Sequence, residues 1–436
     1  METLASKCPS RPSVRPIVRS AYVLGILALT ACAAARREAP PSLFSGATLA
    51  GFPSTVRYLS ADRRALEARA SEVLQRFRKA SQDGTVNLLA LSGGGSAGAF
   101  GAGALVGLSR RGERPQYQLV TGVSTGALIA PFAFLGPSWD VQLTEAFAGG
   151  HTEGLLRSRG LAILFQPGVY RSAPLVALVD HFVTHELLQA VAREHATGRM
   201  LLVATTDLDK EETVIWDMGV IAAHGGETAR MLFRDVLVAS ASIPGLFSPV
   251  IVRVQEAGLA YDEMHVDGGT TVPFFLGSEL SFFSSFAPGE FAGWNIYVLV
   301  NGQLGKAPHT TPFKTVPILA RSFSAELMHM ARVELAVIAA FAQRYQMNLR
   351  FTDIPIDYPR VGSLDFRASS MRTLFDYGAD CARKGLLWAT VDEALARFER
   401  TVSQPLQTQE LEQARGTPGC PFDESSLPPS DSKPPT

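Results

Sequence analysis

Charge is scarce in this chain. Asp, Glu, Lys and Arg make up only 19% of its 436 residues, against roughly a quarter in an average globular protein. The two signs nearly cancel, 40 basic against 41 acidic, for a formal net charge of −1. Such a chain has no global field to gather a polyanion, so nucleic acid is not an expected partner. Cysteine is sparse as well: four residues in the whole chain exclude a small disulfide scaffold. What is abundant is apolar: 46% of residues are hydrophobic and mean hydropathy is +0.11. Disorder over most of the chain is thereby excluded. The length allows a large core in one α/β domain or two smaller ones.

Part of the apolar surplus is a removable segment. Lys7, Arg11, Arg15 and Arg19 precede an uncharged run of 11 residues, Ala21–Ala31. A spanning helix needs about 20 apolar residues, so the run reads as the hydrophobic region of a signal peptide. It ends Leu29-Thr30-Ala31-Cys32, which resembles the bacterial lipobox, with Cys32 as the lipidated first residue. An ordinary secretory signal with an incidental cysteine is the plainer alternative. Ala33 in place of Asp points to outer-membrane sorting, so the expectation is a lipoprotein of the cell envelope, held at the outer-membrane surface by its acyl chains. Residues 32–59 then read as a tether. Cys381 and Cys420 remain, either as a disulfide fastening the tail or as two separate thiols.

Strand and helix patterns alternate along the body. Strands are expected at 86–91, 118–120, 200–205, 250–254 and 296–300, and helices at 60–80, 98–110, 127–135, 173–192, 226–240, 320–347 and 378–400. The alternation implies an α/β class with a central, mostly parallel sheet and helices on both faces. No linker divides 60–400, which reads as one catalytic domain with its motifs at 86–300. Residues 401–436 read as a flexible Pro/Ser-rich tail.

Chemistry concentrates after the first strand. Gly93, Gly94, Gly95 and Gly98 follow it and open a helix. Gly93, Gly95 and Gly98 spell G-x-G-x-x-G, but the next strand ends Leu119-Val120-Thr121-Gly122 without the acid that a dinucleotide ribose needs. The loop keeps its physical content: glycines turn backbone N–H groups outward at a helix N-terminus, where they hold a negative oxygen such as an acyl-transfer oxyanion. Close helix–strand packing is the bland alternative.

Gly122-Val123-Ser124-Thr125-Gly126 is G-x-S-x-G, the spelling of a nucleophile elbow. Chance alone gives about 0.2 such pentapeptides in a chain of this composition, so placement decides. The motif follows an apolar strand and precedes the apolar helix at 127–135, as an exposed Ser124 Oγ on a tight turn requires. The hydroxyl needs a base. His181 and His185 lack the third ligand of a metal site, and His265, His309 or His329 suit a triad by order alone. The stronger candidate is Asp267, before Gly268 and Gly269 at the end of a strand; an ordinary turn aspartate is its alternative.

Three blocks in order, the glycine loop at 93–98, G-x-S-x-G at 122–126 and Asp-Gly-Gly at 267–269, resemble the patatin-like phospholipases. Ala239–Pro249 resembles that family's A-S-x-S-x-P-x-x-F segment. The resemblance implies a three-layer α/β/α patatin-like fold and a serine lipid acyl hydrolase of phospholipase A or carboxylesterase type. Ser124 is then the nucleophile, Asp267 the base, and Gly93, Gly94 and Gly95 the oxyanion hole. The substrate is a phospholipid or other fatty-acyl ester, and no metal or organic cofactor is called for. Ala97 stands where the family usually places Arg or Lys, which removes any help from a side-chain cation. Acyl transfer on the same acyl-enzyme, or a non-catalytic lipoprotein scaffold, are the competing readings. The apolar stripe of the 320–347 helix suits either a cover for an acyl pocket or a core helix.

Overall fold

The computed structural model describes residues 36–38, 46–81, 83–160, 167–276, 286–305, 310–356, 358–359, 362–390, 393 and 419–422. Among these, nine strands form one sheet. Its centre is parallel. β2 (Asn87–Leu91) lies between β3 (Leu119–Val123) and β8 (Asn295–Leu299), with β4 (Met200–Asp207) beyond β3 and β9 (Asn348–Thr352) beyond β8. β5 (Glu212–Asp217) and β1 (Arg57–Leu59) add an antiparallel edge, giving the order β1-β5-β4-β3-β2-β8-β9. A hairpin of β6 (Val250–Glu256) and β7 (Leu259–Asp267) joins β4 through the end of β7.

The sheet is covered on both faces, and β2 shows why its sequence carries no polar alternation. Leu89 and Leu91 pack into one apolar cluster, Leu88 and Ala90 into the other, and all four are fully buried. The first cluster is built with α2 (Gly98–Arg111), α3 (Thr125–Leu135), α4 (Asp140–Ala148), α5 (Ala173–Phe182), α6 (His185–Ala196), α7 (Met218–His224), α8 (Gly226–Ser240) and α10 (Ala368–Lys384). The second is built with α1 (Arg63–Ala80) and α9 (Thr315–Arg344). The result is the expected three-layer α/β/α arrangement.

Several elements differ from the sequence reading. The helix expected over 173–192 is two, because Thr184 starts a new one by accepting a hydrogen bond from Leu187 N at 3.2 Å. The part of the helix expected over 378–400 that is described ends a helix at 368–384, which stops at Gly385 with φ +77°; most of 391–400 lies outside the described residues. The strand before Asp267 runs nine residues rather than a few. Residues expected to be tether enter the body: Thr48 bridges Gln255, and β1 pairs Arg57 with Trp216. At the other end Cys381 and Cys420 form a disulfide, with Tyr377 Oη donating to Gly419 O at 2.6 Å. The signal segment, Cys32 and most of the tail lie outside the described residues. Among those described, no single helix is long and apolar enough to cross a membrane; α5 and α6 pass that test only as a pair bent by 61°.

Candidate active site

The site forms where two strands meet end to end. β3 pairs with β4 as far as Ala204; from Thr205 onward the same edge of β4 is taken by β7, which runs the opposite way and ends with Asp267 opposite Thr205. Ser124 is the first residue after β3, so it faces the end of β7. Its Oγ donates to Asp267 Oδ2 at 2.6 Å. The other carboxylate oxygen accepts from Gly269 N at 2.7 Å.

The turn at Ser124 is strained. Its backbone sits at φ 54° and ψ −124°, a region that side chains seldom enter. Glycine at 122 and 126 makes the turn possible. A Cβ at Gly122 would stand 2.6 Å from Gly126 O, and one at Gly126 would stand 2.4 Å from Leu91 O. The turn is also held from below. Ser124 N donates to Ser240 Oγ at 3.0 Å, Ser240 Oγ donates to Ala204 O at 2.7 Å, and Asp267 N donates to Ser242 O at 2.9 Å. Ser240 and Ser242 are thus supports of the pair that the sequence reading left without a role, although their segment had been singled out.

The glycine loop lies against the same serine, with one correction to its reading. Gly93 N donates to Pro273 O at 3.0 Å, so this N–H is already committed and cannot serve an oxyanion. The N–H groups of Gly94 and Gly95 have no partner among the described residues. Both positions exclude a side chain: a Cβ would meet Asn301 O at 1.8 Å from Gly94 and Ser363 O at 2.0 Å from Gly95. Ala97 is buried at the start of α2.

Asp267 is 1% exposed. Burial pushes its carboxyl up to about 7, while the hydrogen bonds from Ser124 and Gly269 pull only partly the other way. A carboxyl poised there is suited to exchange a proton near neutral pH.

Two clefts open from Ser124. The first encloses about 870 Å³ and is almost wholly apolar, with Leu128, Phe132, Leu175, Val179 and Phe182 on its walls. The second encloses about 800 Å³ between the glycine loop and α9, where Asn301 and Gln303 face Phe323, Leu327 and Met328. Ser124, Gly95 and Ile243 border both. α9 lines the second cleft with Phe323, Leu327 and Met328 and packs Ala331 and Ile338 into the core.

The described histidines lie elsewhere. His265 Nδ1 pairs with Thr205 Oγ1 at 2.9 Å and its Nε2 with Glu263 Oε2 at 3.2 Å. His329 is exposed on α9, and His309 lies outside the described residues. His181 stacks on His151, and His185 pairs with Glu227. Among the described residues, one group has the spacing to hold a metal ion: Asp207, Glu263 and His265. Its carboxylates are already matched by cations, Lys210 Nζ lying 3.1 Å from Asp207 and both Lys210 and Arg57 contacting Glu263. The residues present there form an internal ion network and do not fit a resident metal.

No curated protein matches the chain. Two solved structures are similar at low identity. VipD from Legionella pneumophila is 13% identical, covering 69% of this chain and 67% of that one, with a TM-score of 0.30. Human GIVD cytosolic phospholipase A2 is 12% identical, covering 66% of this chain and 52% of the other, also with a TM-score of 0.30. Residues 89–276, which contain the glycine loop, Ser124 and Asp267, match the family model of the patatin-like phospholipases.

Proposed function

We propose that the protein is a lipid acyl hydrolase that works through a Ser124–Asp267 dyad. The observation that carries this reading is the 2.6 Å hydrogen bond between the two side chains at the junction of two clefts. Ser124 Oγ attacks the ester carbonyl and its proton passes to Asp267 Oδ2. The negative charge on the carbonyl oxygen is met by the N–H groups of Gly94 and Gly95. Collapse breaks the ester bond, and the leaving alcohol takes the proton from Asp267. Water then attacks the acyl-enzyme, giving its proton to Asp267, and the fatty acid leaves as Ser124 Oγ is reprotonated. The family match at 89–276 supports the lipid substrate class. Every step uses side chains and backbone of the chain itself.

Fluorophosphonate labelling tests the assignment. Wild type is expected to label, Ser124→Ala to be blank, and Asp267→Asn to lose labelling by about a hundredfold or more, the usual range for an acid–base group. The eight single His→Ala variants are expected to label. An essential histidine together with a dispensable Asp267 overturns the dyad.

We further propose that Cys32 carries the lipid that places the body at the outer membrane. Arg36 pairs with Asp209 at 2.7 Å, and Arg37 O accepts from Asp262 N at 2.9 Å. Arg36 is four positions after Cys32, a reach of about 14 Å when extended, so a lipid there would hold the body close to the bilayer. Mass spectrometry of the mature N-terminus checks this, and an unmodified Cys32 would sink it.

A further inference from the structure

Successive N–H groups of the glycine loop end in different places. Gly93 N donates to Pro273 O at 3.0 Å and Ser96 N to Ser363 O at 3.0 Å, while Gly94 and Gly95 between them have no partner among the described residues. The pair assigned to the oxyanion is thus bracketed by two bonds to remote segments. The fit is close on both sides, since Gly94 lies against Asn301 O and Gly95 against Ser363 O, with no room for a Cβ at either. Donors that meet a developing charge act only if they are held in place beforehand.

The second bracket contains a side chain. Ser96 is the one residue of 93–98 with a polar side chain, and it is 2% exposed. Its Oγ donates to Gly362 O at 2.8 Å, across 266 positions of sequence. The segment Gly362–Phe366 crosses the place where the two clefts meet: Ser363 borders the second, Phe366 the first, and Gly95 both. The far end of this segment is fixed as well. Thr152 Oγ1 donates to Phe366 O at 3.1 Å, Arg367 holds Asp365 by two bonds of 2.7 and 2.6 Å, and α10 begins at Ala368. α10 lies so close on α2 that a Cβ at Gly103 would stand 1.9 Å from Phe375 O. Two hydrogen bonds, both from Ser96, tie this frame to the glycine loop.

We propose that Ser96 is a positioning residue for the chemistry at Ser124. Its hydroxyl holds the loop against Gly362–Phe366 and so fixes the direction in which the Gly94 and Gly95 N–H groups point. Ser96 lines neither cleft at Ser124 and acts through its neighbours. The proposal rests on the reading of Ser124 as the nucleophile and of Gly94 and Gly95 as its oxyanion donors. Ser96→Ala strands no buried acceptor, because Gly362 O keeps the bond from Asp365 N at 2.9 Å. The variant therefore folds, and what it loses is position.

The test follows hydrolysis of p-nitrophenyl octanoate by the full-length protein in wild type, Ser96→Ala, Gly94→Ala and the double variant. Ser96→Ala is expected to lower kcat about tenfold, less than the loss of a donor outright, with KM within about twofold of wild type. Independent effects multiply. In the Gly94→Ala background the same change is expected to cost less than about threefold, because a donor it positions is already displaced. A folded Ser96→Ala as fast as wild type overturns the proposal, whether or not it melts lower, since a purely structural serine moves the melting temperature alone. A change confined to KM overturns it, and so does a full tenfold loss in the Gly94→Ala background. Fluorophosphonate labelling of the same preparations separates the two readings. Wild type that labels at Ser124 while Ser96→Ala labels at the same rate defeats the positioning role alone. Wild type that neither labels nor hydrolyses the ester defeats the dyad, and the positioning role with it.

Discussion

His265 lies two residues before Asp267 on the same buried face of β7, yet only Asp267 reaches Ser124. Two residues of strand span about 6.6 Å, enough to carry the imidazole back into the contacts of Thr205 and Glu263. The carboxyl at the strand end is thus the acceptor of the Ser124 hydrogen bond, and in the proposed dyad its burial sets the pH at which it takes the serine's proton.

The first prediction follows from that burial. Asp267 is held up to about 7, and it accepts a proton only when ionised. The kcat/KM for an uncharged p-nitrophenyl ester is expected to rise about tenfold per pH unit below pH 7 and to level off above it. A profile flat from pH 5 to 9 would remove Asp267 from the role of base.

The same shift has a consequence for stability. The folded chain holds the Asp267 proton from the ordinary value of 3.8 up to about 7, whereas the unfolded chain releases it near 3.8. The stability that the neutral carboxyl contributes is therefore complete below pH 4 and is lost as pH rises toward 7. Asp267→Asn escapes this loss, by roughly 4 kcal/mol at pH 8 as an order of magnitude. Thermal unfolding is expected to show Asp267→Asn melting above wild type at pH 8 and level with it near pH 4. An inactive variant that is more stable than its parent would mark Asp267 as placed for chemistry. Equal melting at both pH values argues that the carboxyl is not shifted.

The glycine loop makes a third prediction because its members differ. Gly93 has spent its N–H on Pro273, while Gly94 and Gly95 have not. A methyl at Gly93 would stand 3.1 Å from Ser124 Cβ, a tight contact with a side chain. A methyl at Gly94 meets backbone at 1.8 Å. Gly94→Ala is expected to lower kcat by about a hundredfold or more, as loss of an oxyanion donor does, and Gly93→Ala by clearly less. Circular dichroism of both variants separates a displaced loop from an unfolded chain. Equal losses in two folded variants would deny the donors their separate roles.

Local spelling carried the two residues of the proposed dyad into the sequence reading. Ser124 needs a glycine on each side of its turn and Asp267 ends a strand before two more, so both are written in adjacent letters. The glycine loop was legible as a loop, but the commitment of Gly93 depends on Pro273, 180 positions away, and no pattern in the loop announces it. The clefts were less legible still. Their walls come from α5, α6, α8 and α9, whose apolar stripes look alike whether they face a core or a ligand. β1 was missed because it is a three-residue edge strand whose partner β5 is remote in the chain; Arg57 reads as a tether residue until its partner Glu263 is seen.

That pair gives a fourth prediction. The Arg57 and Glu263 side chains are 7% and 2% exposed and hydrogen-bond in two places, one of them at 3.2 Å. Burial alone would push the Glu263 carboxyl up, but the hydrogen bond from His265 and the charge of Arg57 outweigh it and hold the group well below its ordinary value. Removing Arg57 leaves Glu263 with Lys210 and His265 as partners, so the cost falls below the roughly 3–5 kcal/mol of a buried pair broken outright. Arg57→Met is expected to lower the melting temperature by several degrees at pH 7. Truncation before residue 46, which spares Arg57, is expected to do far less. A silent Arg57→Met would show that β1 is not fastened by this contact.

The disulfide supplies the last prediction. Cys381 lies on α10 and Cys420 stands 39 residues later, with a Cα–Cα distance of 5.3 Å. Closing a loop of that length restricts the unfolded chain by about 4 kcal/mol in the chain-entropy model. α10 packs on α2, where a Cβ at Gly107 would stand 2.3 Å from Ala379 O, so the link fastens the tail to the helix pair that carries the glycine loop. Peptide mapping without reductant is expected to recover the 381–420 cross-link, and Cys420→Ser to melt several degrees below wild type. Because no hydrogen bond among the described residues joins Ser124 or Asp267 to α10 or to 419–422, fluorophosphonate labelling of Cys420→Ser is expected to persist at about 25 °C. Two alkylatable thiols in the protein as purified from an oxidising compartment would sink the link, and a mutant that melts with wild type would deny it any part in stability.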